Sequence, residues 1–277
     1  FTTKEEKVNY STKPFDIKAT ALPFGYTGHY IIALYNRLSK AFPPKGEYES
    51  TEEYHRRLRG EYPNETFAFL IENVSTAISA SYDPDDQNML IKINADGARN
   101  HDGFRERMSK SESPSSHYDL ISAYETVIKV RHIRGASEKY MARNKMGAKT
   151  VVTKLTGKEY GIGLNNKGLF AMPGYSITRT RNITLKIPPE EARDLKSNLG
   201  ILLICRVRPW GDPFAYSFRS VYHSEPTMNS PTELSFSQYF VNVDLLEIWI
   251  FNRRTGTVCA KDVIAPQDQE GIDPNKT

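Results

Sequence analysis

Phe240-Val241-Asn242-Val243-Asp244-Leu245-Leu246-Glu247-Ile248-Trp249-Ile250-Phe251 runs into Asn252-Arg253-Arg254-Thr255-Gly256, and then into Thr257-Val258-Cys259-Ala260-Lys261-Asp262-Val263. The first run is dense in β-branched and aromatic side chains, which suit a pleated, buried surface. The five residues after it carry turn chemistry, with Gly256 available for a left-handed backbone. This spacing predicts strands over 240–246 and 247–251, a hairpin turn over 252–256 and a returning strand over 257–263.

Upstream, the same two-residue period or short apolar run predicts strands over 15–19, 66–71, 77–82, 89–93, 124–133, 151–155, 160–164, 176–181, 183–187, 200–208 and 214–222. Asp83-Pro84-Asp85-Asp86-Gln87-Asn88 reads as a hairpin turn between two of them. The period changes near the N-terminus. Tyr30, Ile31, Leu34, Tyr35 and Leu38 recur at helical spacing, and Pro43-Pro44 ends that helix. Ser50 with Glu53 forms a capping box ahead of Tyr54 and Leu58, which share one face of a second short helix.

The expected class is therefore α+β: N-terminal amphipathic helices packed on a mainly antiparallel sheet, with a β-rich C-terminal half forming a sandwich or half-barrel. Residues 1–12 are expected to fray, 13–265 to form one α+β domain, and 266–277 to be a disordered tail. The Gly-, Ser-, Asp- and Arg-rich stretch 95–118 is the expected boundary or mobile loop.

Composition narrows the class further. The chain has 277 residues, sixteen Tyr and thirteen Phe, too aromatic for a disordered protein. Its formal net charge is +4, from 37 basic and 33 acidic residues. The densest local excess lies at 129–149, where Lys129, Arg131, Arg134, Lys139, Arg143, Lys145 and Lys149 face only Glu138. That stretch reads as a solvated loop and helix face, or as an anionic contact surface. No apolar run approaches the roughly 18 residues of a membrane span. Cys205 and Cys259 both lie in apolar strand-like runs and read as buried free thiols, or as one disulfide if the protein is exported and the strands pair.

Motifs for chemistry are weak. Asp83 to Asn94 lacks the glycine and the late carboxylate of a calcium loop. Gly161-Ile162-Gly163-Leu164-Asn165-Asn166-Lys167-Gly168 lacks a following helix and reads as a tight turn rather than a phosphate cradle. The histidines His29, His55, His101, His117, His132 and His223 form no metal-spaced pair. Glu47, Glu49, Glu52 and Glu53 fit a first helical turn better than a glycosidase pair. Asn64-Glu65-Thr66, Asn73-Val74-Ser75 and Asn182-Ile183-Thr184 match the glycosylation sequon, which matters only in a eukaryotic secretory pathway. The stretch carrying most recognition chemistry is Arg206-Val207-Arg208-Pro209-Trp210-Gly211-Asp212-Pro213-Phe214-Ala215-Tyr216. Arg206, Arg208, Trp210, Phe214 and Tyr216 are the predicted ligand-binding residues, because aromatic faces and guanidinium groups anchor interfaces. No metal ligands, catalytic residues or cofactor are predicted.

Three segments carry a resemblance. Lys45-Gly46-Glu47-Tyr48-Glu49-Ser50-Thr51-Glu52-Glu53-Tyr54, followed by Arg57-Leu58, is similar to a segment of exported bacterial proteins of unassigned function. Ile187-Pro188-Pro189-Glu190-Glu191-Ala192-Arg193-Asp194-Leu195-Lys196, ahead of the strand at 199–208, resembles a second element of those proteins. Glu247-Ile248-Trp249-Ile250-Phe251 with Thr255-Gly256 resembles their final hairpin. The resemblance implies a periplasmic or secreted envelope protein and brings no activity with it. Phe1, in place of an initiator Met, is read as the start either of an excised piece or of a mature chain whose leader has been removed.

The leading functional expectation is a non-enzymatic exported protein that binds an unknown protein or small ligand through aromatic strand connections. One alternative is a hydrolase whose site assembles from scattered Glu, Asp and His. The other is an intracellular polyanion or nucleic-acid binder using 129–149, with nucleic acid ranked last.

Overall fold

The computed structural model describes residues 10–43, 45–58, 65–72, 77–99, 124–143, 146–164, 179–209 and 215–264, the side chains at 97–99, 124, 125 and 179 excepted. Three helices occur among them: α1 (Ile31–Ala41), α2 (Thr51–Leu58) and α3 (Pro189–Ser197). Ten strands make up the rest: β1 (Thr66–Leu70), β2 (Ile78–Asp83), β3 (Asn88–Arg99), β4 (Tyr124–Arg143), β5 (Lys149–Leu164), β6 (Arg179–Lys186), β7 (Leu199–Val207), β8 (Ser217–Ser224), β9 (Thr232–Asn252) and β10 (Val258–Val263).

The strands join in one sheet ordered β1-β7-β9-β5-β4-β3-β2, with β8 and β10 added to β9 and β6 added to β3. Strand β9 is the spine. Its N-terminal half lies between β5 and β8, and its C-terminal half between β7 and β10. β5 runs parallel to β9 from Thr153↔Thr232 to Leu164↔Val243, and every other pair is antiparallel.

The expected α+β class is corrected to a mainly β protein built on one large mixed sheet. The helical periodicity was real, but α1 and α2 have only 11 and 8 residues, too few to form a layer. Segments read as separate short strands also fuse. The pairs 151–155 with 160–164, and 240–246 with 247–251, lie within single strands of 16 and 21 residues. Chain that is polar or glycine-rich in the gaps is carried through because both neighbouring strands hold it. What makes the sheet mixed is the parallel pair β5–β9, whose partners lie far apart in the chain.

Glycine explains why Gly161 and Gly163 sit in strand β5 rather than a turn. A Cβ on Gly163 would come within 2.7 Å of the Phe218 ring and 2.8 Å of Asn242 Oδ1. The strand needs a bare backbone there so that Phe218 from β8 can lie across it. Residues 165–168 of that motif lie outside the described residues. Residues 15–19, expected as a strand, instead form a turn in which the Lys18 N–H donates to Asp16 Oδ1 at 2.9 Å. Residues 95–99 of the expected loop belong to β3. The remainder, 100–118, lies outside the described residues, as do 1–9, 265–277 and the sequon at 73–75.

The two sheet faces bury different cores. One face joins Ile128, Ile162, Val241, Val243, Ile201 and Ile250 with Ile31, Leu34 and Leu38 of α1, Tyr54 and Leu58 of α2, Leu195 of α3, and Met89, Ile91 and Ile93 of β3. On the other face, at the β1-β7-β9-β10 end, Phe15 and Leu22 cover Ala68, Leu70, Leu202, Ile204, Trp249 and Phe251. At the β4-β5-β9-β8 end, the same outer face holds Val127, Phe218 and Phe240.

Candidate functional site

The predicted ligand-binding stretch divides between surface and core. Arg206 is exposed on β7, opposite Asp244 of β9 and Thr66 of β1. Arg208 donates from Nη1 to Asp244 Oδ2 at 2.8 Å, and its side chain stays 44% exposed. Tyr216 is 1% exposed, donates its hydroxyl to the Leu58 carbonyl at 2.7 Å and packs on Phe42 with ring centres 4.3 Å apart. Tyr216 is thus a core side chain tying β8 to the end of α2. Trp210 and Phe214 lie outside the described residues. Asp244 is buried, and its Oδ1 has no hydrogen-bond partner among the described residues. Burial first, and then this carboxylate, hold the neighbouring Cys205 thiol well above the usual range.

A second polar group stands on the outer face of β4, β5 and β9. Register fixes it, because directly opposed residues share a face and alternate residues do not. Gln238 lies opposite Glu159, and Glu159 opposite His132. Glu159 accepts from Gln238 Nε2 at 2.7 Å, from Lys129 Nζ at 3.2 Å and from His132 Nδ1 at 3.4 Å. Lys129 also reaches Asp96 Oδ2 at 3.1 Å, and its ammonium lies 5.6 Å from the centre of the Tyr222 ring. Burial works against the Lys129 charge, but Glu159 and Asp96 together outweigh it and the ammonium is held above its ordinary range. Glu159 is 8% exposed and engaged by three donors, so the cluster braces the sheet rather than offering an open base. Among the described residues, no group of three or more His, Cys, Asp or Glu is placed to hold a metal ion.

Beside the main core, Arg131 of β4 donates to the Tyr10 hydroxyl and to Glu72 Oε1 at 2.9 Å. Its guanidinium lies 5.4 Å from the Tyr30 ring centre, and Tyr10 stacks on Tyr30 at 4.5 Å. This arrangement clamps the N-terminal segment and the start of α1 against β4.

Of the remaining basic residues of 129–149, Arg134, Lys139, Arg143 and Lys149 lie on a two-stranded ribbon, and Lys145 lies outside the described residues. The expected loop and helix face is instead β4 paired with β5 all the way to Arg143↔Lys149. β5 first pairs with β9 at Thr153, so the ribbon end extends beyond the sheet by roughly 13 Å at about 3.3 Å per residue. Gly147, at φ +90°, allows the chain to reverse. Lys139↔Thr153, Met141↔Val151 and Arg143↔Lys149 are opposed pairs on one face. Glu138↔Lys154, Tyr140↔Val152 and Ala142↔Thr150 form the other.

That second face is anchored. The Tyr140 hydroxyl donates to Glu233 Oε2 at 2.8 Å, Lys154 reaches Glu233 Oε1 at 2.9 Å, and Val152 is buried. Hydrogen bonds from Lys154 and then Tyr140 hold the Glu233 carboxyl below its ordinary range. The first face is open, with Met141 62% and Val151 50% exposed, and Met146 in the turn beyond the paired residues is 95% exposed. The sequence reading stopped β4 at residue 133 because an exposed ribbon lacks apolar–polar alternation. The available signal was a different one, with Lys139, Met141 and Arg143 alternating against Glu138, Tyr140 and Ala142 before a glycine.

No protein-family model, no curated protein and no solved structure matches this chain.

Proposed function

We propose that this chain is a non-catalytic binding protein, and that the open face of the β4–β5 ribbon is its contact surface for a polyanionic partner. One observation carries the reading. Lys139, Arg143 and Lys149 share a face on which no described ribbon residue is acidic. Glu138 lies on the other face, and Glu233 is engaged by Lys154 and Tyr140 there. Cations gathered this way raise the local concentration of an anionic partner and speed its encounter. The ribbon is anchored on its other face, so little conformational entropy is lost on contact. The envelope setting of this reading rests on the resemblance of 45–58, 187–196 and 247–256 to exported proteins.

The test is retention on immobilised heparin. The parent protein should bind at low ionic strength and elute as salt rises. The combined variant Lys139→Gln, Arg143→Gln, Lys149→Gln should elute at clearly lower salt with an unchanged thermal midpoint. A parent protein that passes through the column at low salt removes the reading.

A further inference from the structure

The cations on the ribbon do not stand alone. From base to tip, the open face presents Lys139 with Thr153, then Met141 with Val151, then Arg143 with Lys149, and Met146 lies in the turn beyond the last pair. An apolar layer lies between two cationic layers, and a methionine 95% exposed stands at the end. Scattered exposed apolar side chains need no explanation, but three of them at one projecting end do. A purely electrostatic partner gives Met141, Val151 and Met146 nothing to bury in. A nucleic-acid groove rewards the cations but leaves the apolar layer in a polar setting. An anionic lipid surface rewards both, because cations meet the headgroups while apolar side chains enter the headgroup–acyl boundary.

Resting on the anionic-partner reading above, we propose that the β4–β5 ribbon docks on the surface of an anionic lipid bilayer, with Met146, Met141 and Val151 entering the interface and Lys139, Arg143 and Lys149 contacting headgroups. The contact is peripheral. No helix among the described residues is long and apolar enough to cross a membrane. The Tyr140–Glu233 and Lys154–Glu233 contacts tie the opposite face to β9, and that face carries the exposed carboxylate of Glu138 beside the 40% exposed Tyr140, so the Lys139–Met141–Arg143 face is the one that suits an anionic lipid.

The experiment is co-sedimentation of the full chain with vesicles of phosphatidylcholine alone and of phosphatidylcholine and phosphatidylglycerol in equal parts, run beside the heparin assay. The parent protein should pellet with the phosphatidylglycerol vesicles and not with pure phosphatidylcholine. Neutralising Lys139, Arg143 and Lys149 together should weaken vesicle binding about a hundredfold, at roughly fivefold per cation. Met141→Ser with Met146→Ser should weaken vesicle binding about tenfold and leave heparin retention unchanged. These positions are exposed, so the folded state tolerates both variants, and matched thermal midpoints verify it. Heparin retention without vesicle binding, or vesicle binding untouched by the methionine variant, overturns the lipid assignment and leaves the anionic-partner reading in place. Failure to bind either heparin or vesicles overturns both.

Discussion

Cys205 and Cys259 show how position in a sheet sets the chemistry of one atom type. Cys205 lies in β7 with no exposed surface, whereas Cys259 in β10 is exposed, with Sγ 3.7 Å from the Thr257 carbonyl. Both are free thiols. They cannot approach as paired neighbours, because β7 and β10 both pair with residues 247–251 of β9 and must occupy its opposite edges. Burial raises both thiols, Cys205 further, with Asp244 adding to it. A disulfide reagent at neutral pH should titrate one thiol from the native chain and the second only in denaturant. Cys259→Ser should leave no native reactivity, and two thiols reacting natively at one rate would contradict the burial of Cys205. The sequence reading recognised the apolar strand around Cys205. At Cys259 it missed that β10 alternates half-buried and exposed positions, since only the neighbouring strands determine which face is covered.

Among the elements, α2 is the one most fully encoded by local chemistry. Glu53 N–H donates to Ser50 Oγ at 3.2 Å, and Ser50 N–H donates to Glu53 Oε2 at 2.8 Å, the capping box expected from the spacing. Glu49 adds a fork from Arg57 that the spacing did not reveal, with Nε and Nη2 both 2.8 Å from its carboxylate oxygens. Arg57 first, and the Gly46 N–H next, pull the Glu49 carboxyl from 4.5 down to about 2. A depressed carboxyl stabilises the fold above its unfolded value, and that contribution is lost as pH falls through the folded value. Glu49→Gln should therefore unfold at lower urea than the parent at neutral pH, with the gap closing between 4.5 and about 2. An unchanging gap across that range would show that Glu49 acts through packing instead. The β4–β5 ribbon is the opposite case. Its register and its face depend on β9 anchoring one side through Glu233, so the basic stretch 129–149 was visible as composition but not as a surface.

The whole molecule is held by packing on both faces of one sheet, and Trp249 is central to the smaller of its main cores. Its indole is fully buried, donates to Glu247 Oε2 at 2.6 Å, meets Phe15 edge-on at 5.0 Å and receives the Lys261 ammonium at 3.7 Å. Trp249→Ala should cost about 3–5 kcal/mol in urea unfolding. A loss below about 1 kcal/mol would mean that the segment carrying Phe15 and Leu22 contributes little to stability. Turns, caps, strand propensity and the central hairpin were readable along the chain, because each rests on contacts within a few residues. The Asn252–Gly256 turn carries local hydrogen bonds of its own: Asn252 Oδ1 accepts from the Arg254 and Thr255 N–H groups at 2.9 and 3.3 Å. The mixed sheet, the fusion of short strands into β5 and β9, and the burial of Tyr216 were not readable in this way. They depend on residues distant in sequence meeting in one register, as Thr153 meets Thr232, and no local period carries that pairing. Whether an aromatic or a cation becomes core or contact surface is settled by which sheet face the tertiary packing covers.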